Sequence, residues 1–347
     1  MAQYEQEGSE LARNITNTSD LSPETVSAIR GATGSYQAGS QNNVDNRNPD
    51  YVRIIPQRSD NGGGDTGGGD TGGGDTGGGG RIPPEVIVLL NNNGVDLTLN
   101  TVDRVILTGR GNDRIVVNGD GNTTIESLGG NDTLITSGGN DSIVTSAGND
   151  SVSTGAGNDT IYSRAGQDSV DGGAGFDKLQ IHGRSSDYNI SVVNGALVID
   201  NGSGHRVTAQ NIEYIKFNDG SAVTVSNTAD HATVMRMYES LLDRSATAGE
   251  SGFYAHWLQQ GSVSLSEIVR SFLAVDAVEN RLGRAGEVED SSFVANLYQL
   301  ALGRSATAAE IAAGVAQIAA ADHGEFVVSV IGSTEAADLY ADSVMIV

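Results

Sequence analysis

The hydrophobic residues of this chain follow three different patterns in three successive segments. From about residue 95 to 180, single aliphatic residues recur at regular intervals within a polar, Gly-rich sequence. Residues 181–226 then alternate between apolar and polar positions in short runs, which is typical of half-buried strands. From residue 230 onward Gly becomes rarer, and apolar residues take the spacing of an amphipathic helix. The pattern therefore predicts a repeat region, a β region and a helical region.

The repeat region has a period of nine residues. The Gly residues in register, of which only the first is displaced by one residue, are Gly111, Gly121, Gly130, Gly139, Gly148, Gly157, Gly166 and Gly175. Two positions after each Gly, with Thr123 as the exception, come Asp113, Asp132, Asp141, Asp150, Asp159, Asp168 and Asp177. Two positions further on come Ile115, Ile125, Leu134, Ile143, Val152, Ile161, Val170 and Leu179. Such a period predicts stacked copies of one short unit.

Each residue type in the unit has a physical role. Gly adopts backbone angles that other residues avoid, so it allows a tight turn that points carbonyl oxygens at one place. Asp adds a carboxylate there, and calcium prefers hard oxygen ligands of this kind. The aliphatic residue points inward from a strand, and successive units must stack because one unit alone buries almost nothing. The alternative is that Asp only makes hydrogen bonds within the turns.

The unit resembles that of the RTX (repeat-in-toxin) family, Gly-Gly-x-Gly-x-Asp-x-aliphatic-x. Residues 172–179 match it in full, and residues 154–161 lack only the first Gly. The resemblance implies a parallel β-roll over residues 81–180 that holds about four calcium ions in its turns. It also implies that acids two units apart pair, namely Asp132 with Asp150, Asp141 with Asp159, Asp150 with Asp168, and Asp159 with Asp177.

The predicted metal site therefore combines side-chain and backbone oxygens. The carboxylates are those of Asp113, Asp132, Asp141, Asp150, Asp159, Asp168 and Asp177. The turn backbone is that of Gly130, Gly139, Gly148, Gly157 and Gly175. Thr123 is expected to interrupt the first sites. Several middle units lack the first two Gly of the unit, which predicts weaker or distorted turns, as at Leu128, Ser137, Ser146 and Arg164.

Residues 181–228 are predicted to form a β segment that caps the roll. Asn194-Gly195 is a strong signal for a two-residue hairpin turn, and alternating runs flank it. Residues 212–220, Ile-Glu-Tyr-Ile-Lys-Phe-Asn-Asp-Gly, resemble the segment that commonly closes RTX rolls.

The helical region, residues 229–347, is an internal duplication. Residues 244–248, Arg-Ser-Ala-Thr-Ala, reappear at 304–308, and each copy restarts a helix with a capping box. The two repeats cover about 230–285 and 290–340. They resemble a domain of unknown function that recurs in bacterial surface and secreted proteins, which implies attachment or assembly at a surface. The second copy departs from that pattern at Gly314 and Gln317. The aromatic residues of the first copy, Phe253, Tyr254 and Trp257, are expected to lie in its core.

The two ends of the chain differ in composition, since the N-terminal end is polar and the last four residues are apolar. Residues 1–61 have too little apolar material for a core and predict a disordered arm, and residues 62–80 form a Gly/Asp/Thr linker. Residues 1–7 lack the basic and apolar stretches of a secretory leader, and no run is long enough to span a bilayer. Residues 342–347, an acid followed by apolar residues, resemble a type I secretion signal, although a fraying last helix has the same pattern.

Composition narrows the possible functions. The formal charge of −24 argues against nucleic acid as a partner, and the absence of Cys excludes disulfides and thiolate metal sites. No zinc-protease helix, nucleophile elbow or phosphate loop is present, which predicts a protein that is not an enzyme.

The sequence predicts a multidomain β plus α protein, a nonapeptide β-roll with a β cap followed by an all-α duplicated domain. We expect a secreted bacterial calcium-binding structural protein of a surface layer or biofilm matrix. Its predicted partners are calcium, the type I secretion machinery, and either further copies of itself or a cell-surface polysaccharide. The alternatives are a calcium-dependent adhesin that binds carbohydrate or a host surface, an accessory subunit of a secreted hydrolase, and an intracellular solenoid.

Overall fold

The computed structural model of the chain describes residues 51–54, 85–89, 93–100 and 104–347. The chain divides into two compact units, residues 1–175 with 203–207, and residues 176–202 with 208–347. Most of the predicted arm and the whole of the predicted linker lie outside the described residues. No helix of the described part is long and apolar enough to cross a bilayer.

The first unit is a β-solenoid of about five turns. Its strands are β1 (Tyr51–Ile54), β2 (Glu85–Leu89), β3 (Asp96–Asn100), β4 (Arg104–Thr108), β5 (Arg114–Asn118), β6 (Thr123–Ser127), β7 (Thr133–Thr136), β8 (Ser142–Val144), β9 (Ser151–Ser153), β10 (Thr160–Ser163) and β11 (Gln167–Asp171). The even-numbered strands from β2 to β10 form one parallel sheet, and the odd-numbered strands from β3 to β11 form another. Each nine-residue unit therefore contributes one strand, and successive strands go to opposite sheets.

The aliphatic residue of each unit forms the core of the solenoid. Ile125 lies beside Ile143, and Ile143 beside Ile161, while the other sheet aligns Leu134 with Val152. The aliphatic side chains of the repeat in this unit are all at most 3% exposed. This confirms the predicted inward direction of the repeat, and burial of these side chains supplies the main stabilisation of the stack.

The start of the solenoid has no Gly-x-Asp repeat. Strand β2 pairs in parallel with β4, and its residues 86–89 are buried. Strand β1 pairs antiparallel with β2 and covers the outer edge of that sheet. Strand β1 lies within the segment whose composition predicted a disordered arm. The prediction missed this strand because it has only four residues and its hydrogen bonds come from a distant strand edge, which local composition does not indicate.

The Gly residues of the repeat allow backbone to stack on backbone. Gly166 has φ +115°, and a Cβ placed on it would lie 1.7 Å from the carbonyl oxygen of Gly148. Gly157 has φ +139°, and its Cβ would lie 1.8 Å from the oxygen of Gly139. The turn therefore requires Gly for two reasons, a left-handed backbone and the absence of any side chain between successive turns.

We expect Gly166→Ala to destabilise the solenoid by about 2 kcal/mol or more beyond the effect of Gly204→Ala. Gly204 is a matched control, because its φ of +113° carries the same backbone strain but nothing lies within 4 Å of its Cβ position. Urea unfolding of both variants in calcium-containing buffer, followed by circular dichroism, measures the difference. Equal stabilities would show that close stacking is not what requires Gly.

The second unit begins with β strands. They are β12 (Lys178–Ile181), β13 (Asn189–Val193), β14 (Ala196–Asp200), β15 (Arg206–Gln210, whose first two residues belong to the first unit), β16 (Tyr214–Phe217), β17 (Ala222–Ser226) and the chain's last strand, β18 (Val344–Ile346). Strands β13 and β14 form the predicted hairpin, with Asn194 and Gly195 at φ +53° and +79°. Strand β16 pairs in parallel with β12 and antiparallel with β17.

The C-terminal residues form a strand and not a helix. Val344, Met345 and Ile346 pair in parallel with Thr224, Val225 and Ser226 of β17. Val344 is buried, whereas Ile346 and Val347 are about half exposed. The fraying helix that the sequence left open is therefore wrong.

The helical region consists of two copies of a four-helix module. The helices are α1 (Ala229–Leu242), α2 (Ala248–Gln259), α3 (Leu265–Leu273), α4 (Asp276–Leu282), α5 (Asp290–Leu302), α6 (Ala308–Ala320), α7 (His323–Ile331) and α8 (Thr334–Leu339). Both predicted capping boxes are present, at Thr247 with Glu250 and at Thr307 with Glu310. The equivalent Arg244 and Arg304 each form a two-bond ion pair with the Glu of their own capping box. These repeated contacts confirm the duplication.

The aromatic residues of α2 differ from the expectation. Tyr254 packs against the core, with its ring centroid 6.1 Å from that of Phe272. Phe253 and Trp257, however, are 54% and 39% exposed, so the predicted core position is wrong for both. One turn apart on the helix, they lie side by side on its outer face, 5.7 Å between ring centroids.

Gly314 explains the departure of the second copy. A Cβ at this position would lie 2.7 Å from a methyl group of Val294 and 2.9 Å from the Phe326 ring. Phe326 therefore fills the space beside α6, and Gly permits its close approach.

Candidate calcium site

The Asp residues of the repeat are buried inside the turns. Asp113, Asp132, Asp141, Asp150, Asp159, Asp168 and Asp177 are all at most 4% exposed. Each stands two residues before the inward aliphatic residue, so both side chains point to the same side of the strand. Burial of seven acids at one register is unusual, because a carboxylate loses its hydration when it enters the interior.

One oxygen of each carboxylate joins two units of the stack. The backbone N–H of Asp132 donates to Oδ1 of Asp150 at 2.8 Å, that of Asp141 to Asp159 at 2.7 Å, and that of Asp150 to Asp168 at 3.1 Å. Three of the pairs that the RTX resemblance implied are therefore in contact. The same Asp side chain can therefore serve both predicted roles. Its Oδ1 accepts the hydrogen bond of the turn, and its Oδ2 remains for a metal ion.

The carboxylates of the first unit form two columns. Column 1 consists of Asp113, Asp132, Asp150 and Asp168, and it begins where the backbone N–H of Val95 donates to Asp113 Oδ1 at 2.8 Å. Column 2 consists of Asp141 and Asp159. Thr123 stands before it, and its backbone N–H still donates to Asp141 Oδ1 at 2.7 Å. Thr123 therefore continues the hydrogen-bond pattern but contributes no carboxylate.

The second carboxylate oxygen has no partner in four of these residues. Oδ2 is buried and without a hydrogen bond in Asp113, Asp132, Asp141 and Asp150, within the part of the chain that the structure describes. None of these four forms an ion pair with a described Lys, Arg or His side chain. Each is an acceptor that lacks both a proton donor and a counter-charge.

Burial shifts the titration of these groups strongly. It raises the pKa of Asp150 to about 7; the backbone hydrogen bond from Asp132 opposes this shift, and the charges of Asp168 and Asp132 add to it. Burial also raises the pKa of Asp141 to about 6. The pKa values of Asp113, Asp132, Asp159 and Asp168 are raised for the same first reason. Asp150 in column 1 and Asp141 in column 2 therefore bind protons near neutral pH unless a cation takes their place.

Column 1 ends in a closed polar cluster. Oδ2 of Asp168 accepts a hydrogen bond from Ser163 Oγ at 2.5 Å, and Ser163 Oγ lies 2.8 Å from His205 Nε2. Asp168 therefore differs from the three acids before it in the column, whose Oδ2 atoms are open. No periodic pattern marked His205, because this residue lies outside the repeat.

Asp177, in the second unit, also has a partner from outside the repeat. Its backbone N–H donates to Glu213 Oε2 at 2.7 Å, the same kind of contact that the next Asp makes in each column. Glu213 belongs to the segment that the sequence predicted to close the roll. It supplies the next carboxylate from a position 36 residues further along the chain.

The Asn residues of the repeat form a second hydrogen-bond ladder on the outside. The backbone N–H of Asn149 donates to Oδ1 of Asn131 at 2.8 Å, and that of Asn158 to Oδ1 of Asn140 at 2.8 Å. This ladder points the opposite way to the Asp ladder, since the side chain of the earlier unit accepts from the backbone of the later one. Asn thus has a structural role, and the buried Oδ2 atoms remain the chemically unused groups.

A buried hydroxyl accompanies the columns, and the sequence interpretation missed it. Thr or Ser stands five residues before each Asp except Asp177, at Thr108, Ser127, Thr136, Thr145, Thr154 and Ser163. All six are at most 3% exposed. The signal was present as another nine-residue period, at the place where the RTX unit has its first Gly.

The Gly residues of the turns have the backbone conformation that the sequence predicted. The five predicted Gly ligands, Gly130, Gly139, Gly148, Gly157 and Gly175, all have φ between +97° and +143°. At the second Gly of the RTX unit, Gly155 and Gly173 are also left-handed, with φ +89° and +86°. The residues that replace Gly there in other units do not have positive φ, so those turns differ in conformation, as their sequence predicted.

These residues fit calcium. The donors are hard oxygens only, carboxylates and turn carbonyls, and calcium takes six to eight such ligands in flexible geometry. Four of the acids have an Oδ2 atom without a hydrogen bond and without a counter-charge among the described residues. Their ionised carboxylates supply the negative charge that a divalent cation requires. No three His, Cys, Asp or Glu side chains of the described residues come together as a metal cluster. The Asp columns and the Gly turns would therefore hold calcium jointly, with most ligands from the backbone.

Comparison with known families agrees with this chemistry. The RTX calcium-binding nonapeptide repeat (4 copies) matches residues 117–152 and 144–179. A domain of unknown function, DUF4214, matches residues 269–340, which run from α3 through the second helical copy. No curated protein matches the chain. The chain therefore contains RTX calcium-binding nonapeptide repeats and a C-terminal DUF4214 domain.

Proposed function

We propose that the protein is a secreted, non-enzymatic structural component of a bacterial surface layer or extracellular matrix whose solenoid folds on binding calcium. The observation that carries this proposal is the pair of Asp columns with open, buried Oδ2 atoms. RTX repeats are typical of secreted proteins, and the medium outside the cell supplies calcium.

Calcium acts here as the main stabiliser of the folded solenoid. Without the ion, stacking the turns brings buried carboxylates into line, and they repel each other. Extracellular calcium modules bind with dissociation constants of about 0.1–1 mM, so the ion is bound outside the cell and absent inside. A ligand that binds only the folded state stabilises that state by mass action. The solenoid is therefore only weakly stable before export and becomes stable after it.

A calcium titration followed by circular dichroism tests this proposal. We expect strand signal and compaction to increase between about 0.1 and 1 mM calcium. Magnesium is the control, since it dehydrates reluctantly and demands a tighter octahedral site, and it should produce no transition. A solenoid that has the same signal in calcium, magnesium and chelator would refute calcium-coupled folding.

The absence of catalysis is part of the proposal. Ser163, His205 and Asp168 do meet, but they are 1%, 5% and 4% exposed, so a substrate cannot reach them. The Ser163 hydroxyl donates to Asp168, where a nucleophile would need a base in position to accept its proton. This cluster supports a structural function, and we expect no hydrolase activity in the purified protein.

A second candidate, a calcium-dependent adhesin, is favoured by one observation. Phe253 and Trp257 form an exposed aromatic pair on α2, with polar His256 and Gln260 exposed beside them. An aromatic face next to hydrogen-bonding groups suits the apolar faces and hydroxyls of a sugar ring. Binding of the monomer to a glycan array, lost in the Phe253→Ala, Trp257→Ala double variant, would favour the adhesin. Calcium-driven polymerisation without a ligand would favour the matrix protein.

We further propose export by a type I route that uses residues 342–347. In the folded protein Val344–Ile346 form β18, so the backbone of this strand is free for recognition only before the second unit folds. Ile346 and Val347 are about half exposed, so their double replacement by Ser changes the apolar tail with little effect on packing. Retention of that variant in the cell supports the route, and unchanged export refutes it.

A further inference from the structure

The first two acids of column 1 each lie beside a buried hydroxyl that has no partner. Thr108 and Ser127 are both 0% exposed, and Thr108 Oγ1 and Ser127 Oγ have no hydrogen-bond partner among the described residues. The same is true of Oδ2 in Asp113 and Asp132. Each of these two levels therefore contains two buried oxygens with unsatisfied hydrogen-bonding capacity.

We propose that the hydroxyls of Thr108 and Ser127 are neutral calcium ligands, added to the carboxylates and turn carbonyls of the repeat. This inference rests on the proposed calcium function and extends it to residues outside the RTX unit, which has Gly at this position. Calcium accepts neutral oxygens readily alongside carboxylates, so a hydroxyl can complete a ligand shell without adding charge.

The position of the hydroxyl supports a shared space with Oδ2. At the last level of column 1, the equivalent Ser163 Oγ reaches Asp168 Oδ2 at 2.5 Å. At the level of Asp132, the Ser127 hydroxyl likewise interacts with the carboxyl group. The hydroxyl is thus near its carboxylate, yet neither oxygen completes a hydrogen bond with the other.

The later levels show hydroxyls that are already committed. Thr136 Oγ1 donates to the carbonyl of Thr154 at 2.9 Å, and Thr154 Oγ1 to that of Gly172 at 2.8 Å. Thr145 Oγ1 lies 3.3 Å from the carbonyl of Tyr162. The inference is therefore restricted to Thr108 and Ser127. A buried water is the competing occupant, because it could also bridge two polar groups.

Calorimetric titration of the full chain with calcium chloride tests the inference. We expect Ser127→Ala and Thr108→Val each to weaken the calcium affinity of one site by roughly tenfold, as loss of a supporting oxygen does in other metal sites. Ser151→Ala is the control, because the Ser151 side chain points outward and is exposed. It should leave every site unchanged.

A second readout separates ligand from packing. Melting in chelator should be the same for Ser127→Ala and the unaltered protein if the hydroxyl acts through calcium. Lower melting in chelator with unchanged calcium affinity would overturn the inference and assign the hydroxyl to a bridging water or to packing. If the unaltered protein itself binds no calcium, the proposed function fails and not this inference alone.

Discussion

Replacing Asp141, Asp150 and Asp159 together by Asn is expected to abolish most of the calcium response of the solenoid without unfolding it. Asn keeps the Oδ1 acceptor for the backbone N–H that lies two nine-residue repeats earlier, so the ladder hydrogen bonds remain. It removes the charge and the second carboxylate oxygen. Since burial of the charged form raises these pKa values, the neutral variant should be at least as stable as the unaltered protein in chelator.

The effect in calcium should be large. One site at a hundred times its dissociation constant stabilises the folded state by about 2.7 kcal/mol, and several sites add to this. Thermal melting with and without calcium measures the loss. Asp187→Asn, at an exposed position of the second unit, is the control and should keep the full response. An unchanged calcium response in the triple variant would mean that Asp serves only as a turn acceptor.

The calcium-free solenoid is expected to gain stability on acidification, the opposite of the calcium-bound form. The pKa of Asp150 rises from 3.8 to about 7 on folding, and that of Asp141 to about 6. The folded state therefore binds more protons than the unfolded state between these values, so stability is lost as pH rises from about 4 to 7. One pKa unit corresponds to about 1.4 kcal/mol, so the two groups together contribute several kcal/mol.

Calcium reverses this sign because it binds the ionised carboxylates, and protons then compete with it. Urea unfolding at pH 4.5 and 7, in chelator and in calcium, measures both slopes; these pH values bracket roughly the range of the shifts. The helical region has the opposite slope, since Arg244 and Arg304 lower the pKa values of Glu250 and Glu310 to about 2. An Asp141→Asn, Asp150→Asn variant isolates the columns, because only their contribution changes. In chelator, the free energy of unfolding of the unaltered protein is compared with that of this variant at both pH values. A difference that does not change with pH would contradict the raised pKa values.

The sequence predicted those parts of the fold that have a local period. The inward aliphatic residues, the buried Asp pairs, the Asn194-Gly195 hairpin and the capping boxes each depend on spacing along the chain, and spacing is visible without structure. Strand β2 was not marked in this way, because residues 81–93 contain no Gly or Asp. Its register is set by pairing with β4.

The parts of the site that the sequence did not predict depend on contacts between distant positions. Glu213 and His205 lie outside the repeat, and only the fold brings them to Asp177 and Ser163. The hydroxyl of Ser127 follows the nine-residue period, but in the sequence it is visible only as the absence of the first Gly of the RTX unit. Its burial, which distinguishes a hydroxyl with a role from a simple loss of Gly, is known only from the structure. Phe253 and Trp257 were placed in the core by residue type, whereas the outer face of α2 is decided by how the helices pack.

Hydrogen exchange tests most directly whether calcium stabilises the folded solenoid. The informative backbone amides are those of Asp113, Asp132, Asp141 and Asp150. Each of these amides donates to the carboxylate of the next acid, so its protection reports whether the columns are closed. With calcium we predict slow exchange at all four, and after chelation at pH 7 exchange faster by at least roughly a hundredfold, as loss of the mass-action stabilisation requires. Equal protection in calcium and in chelator would mean that the solenoid stands without its metal.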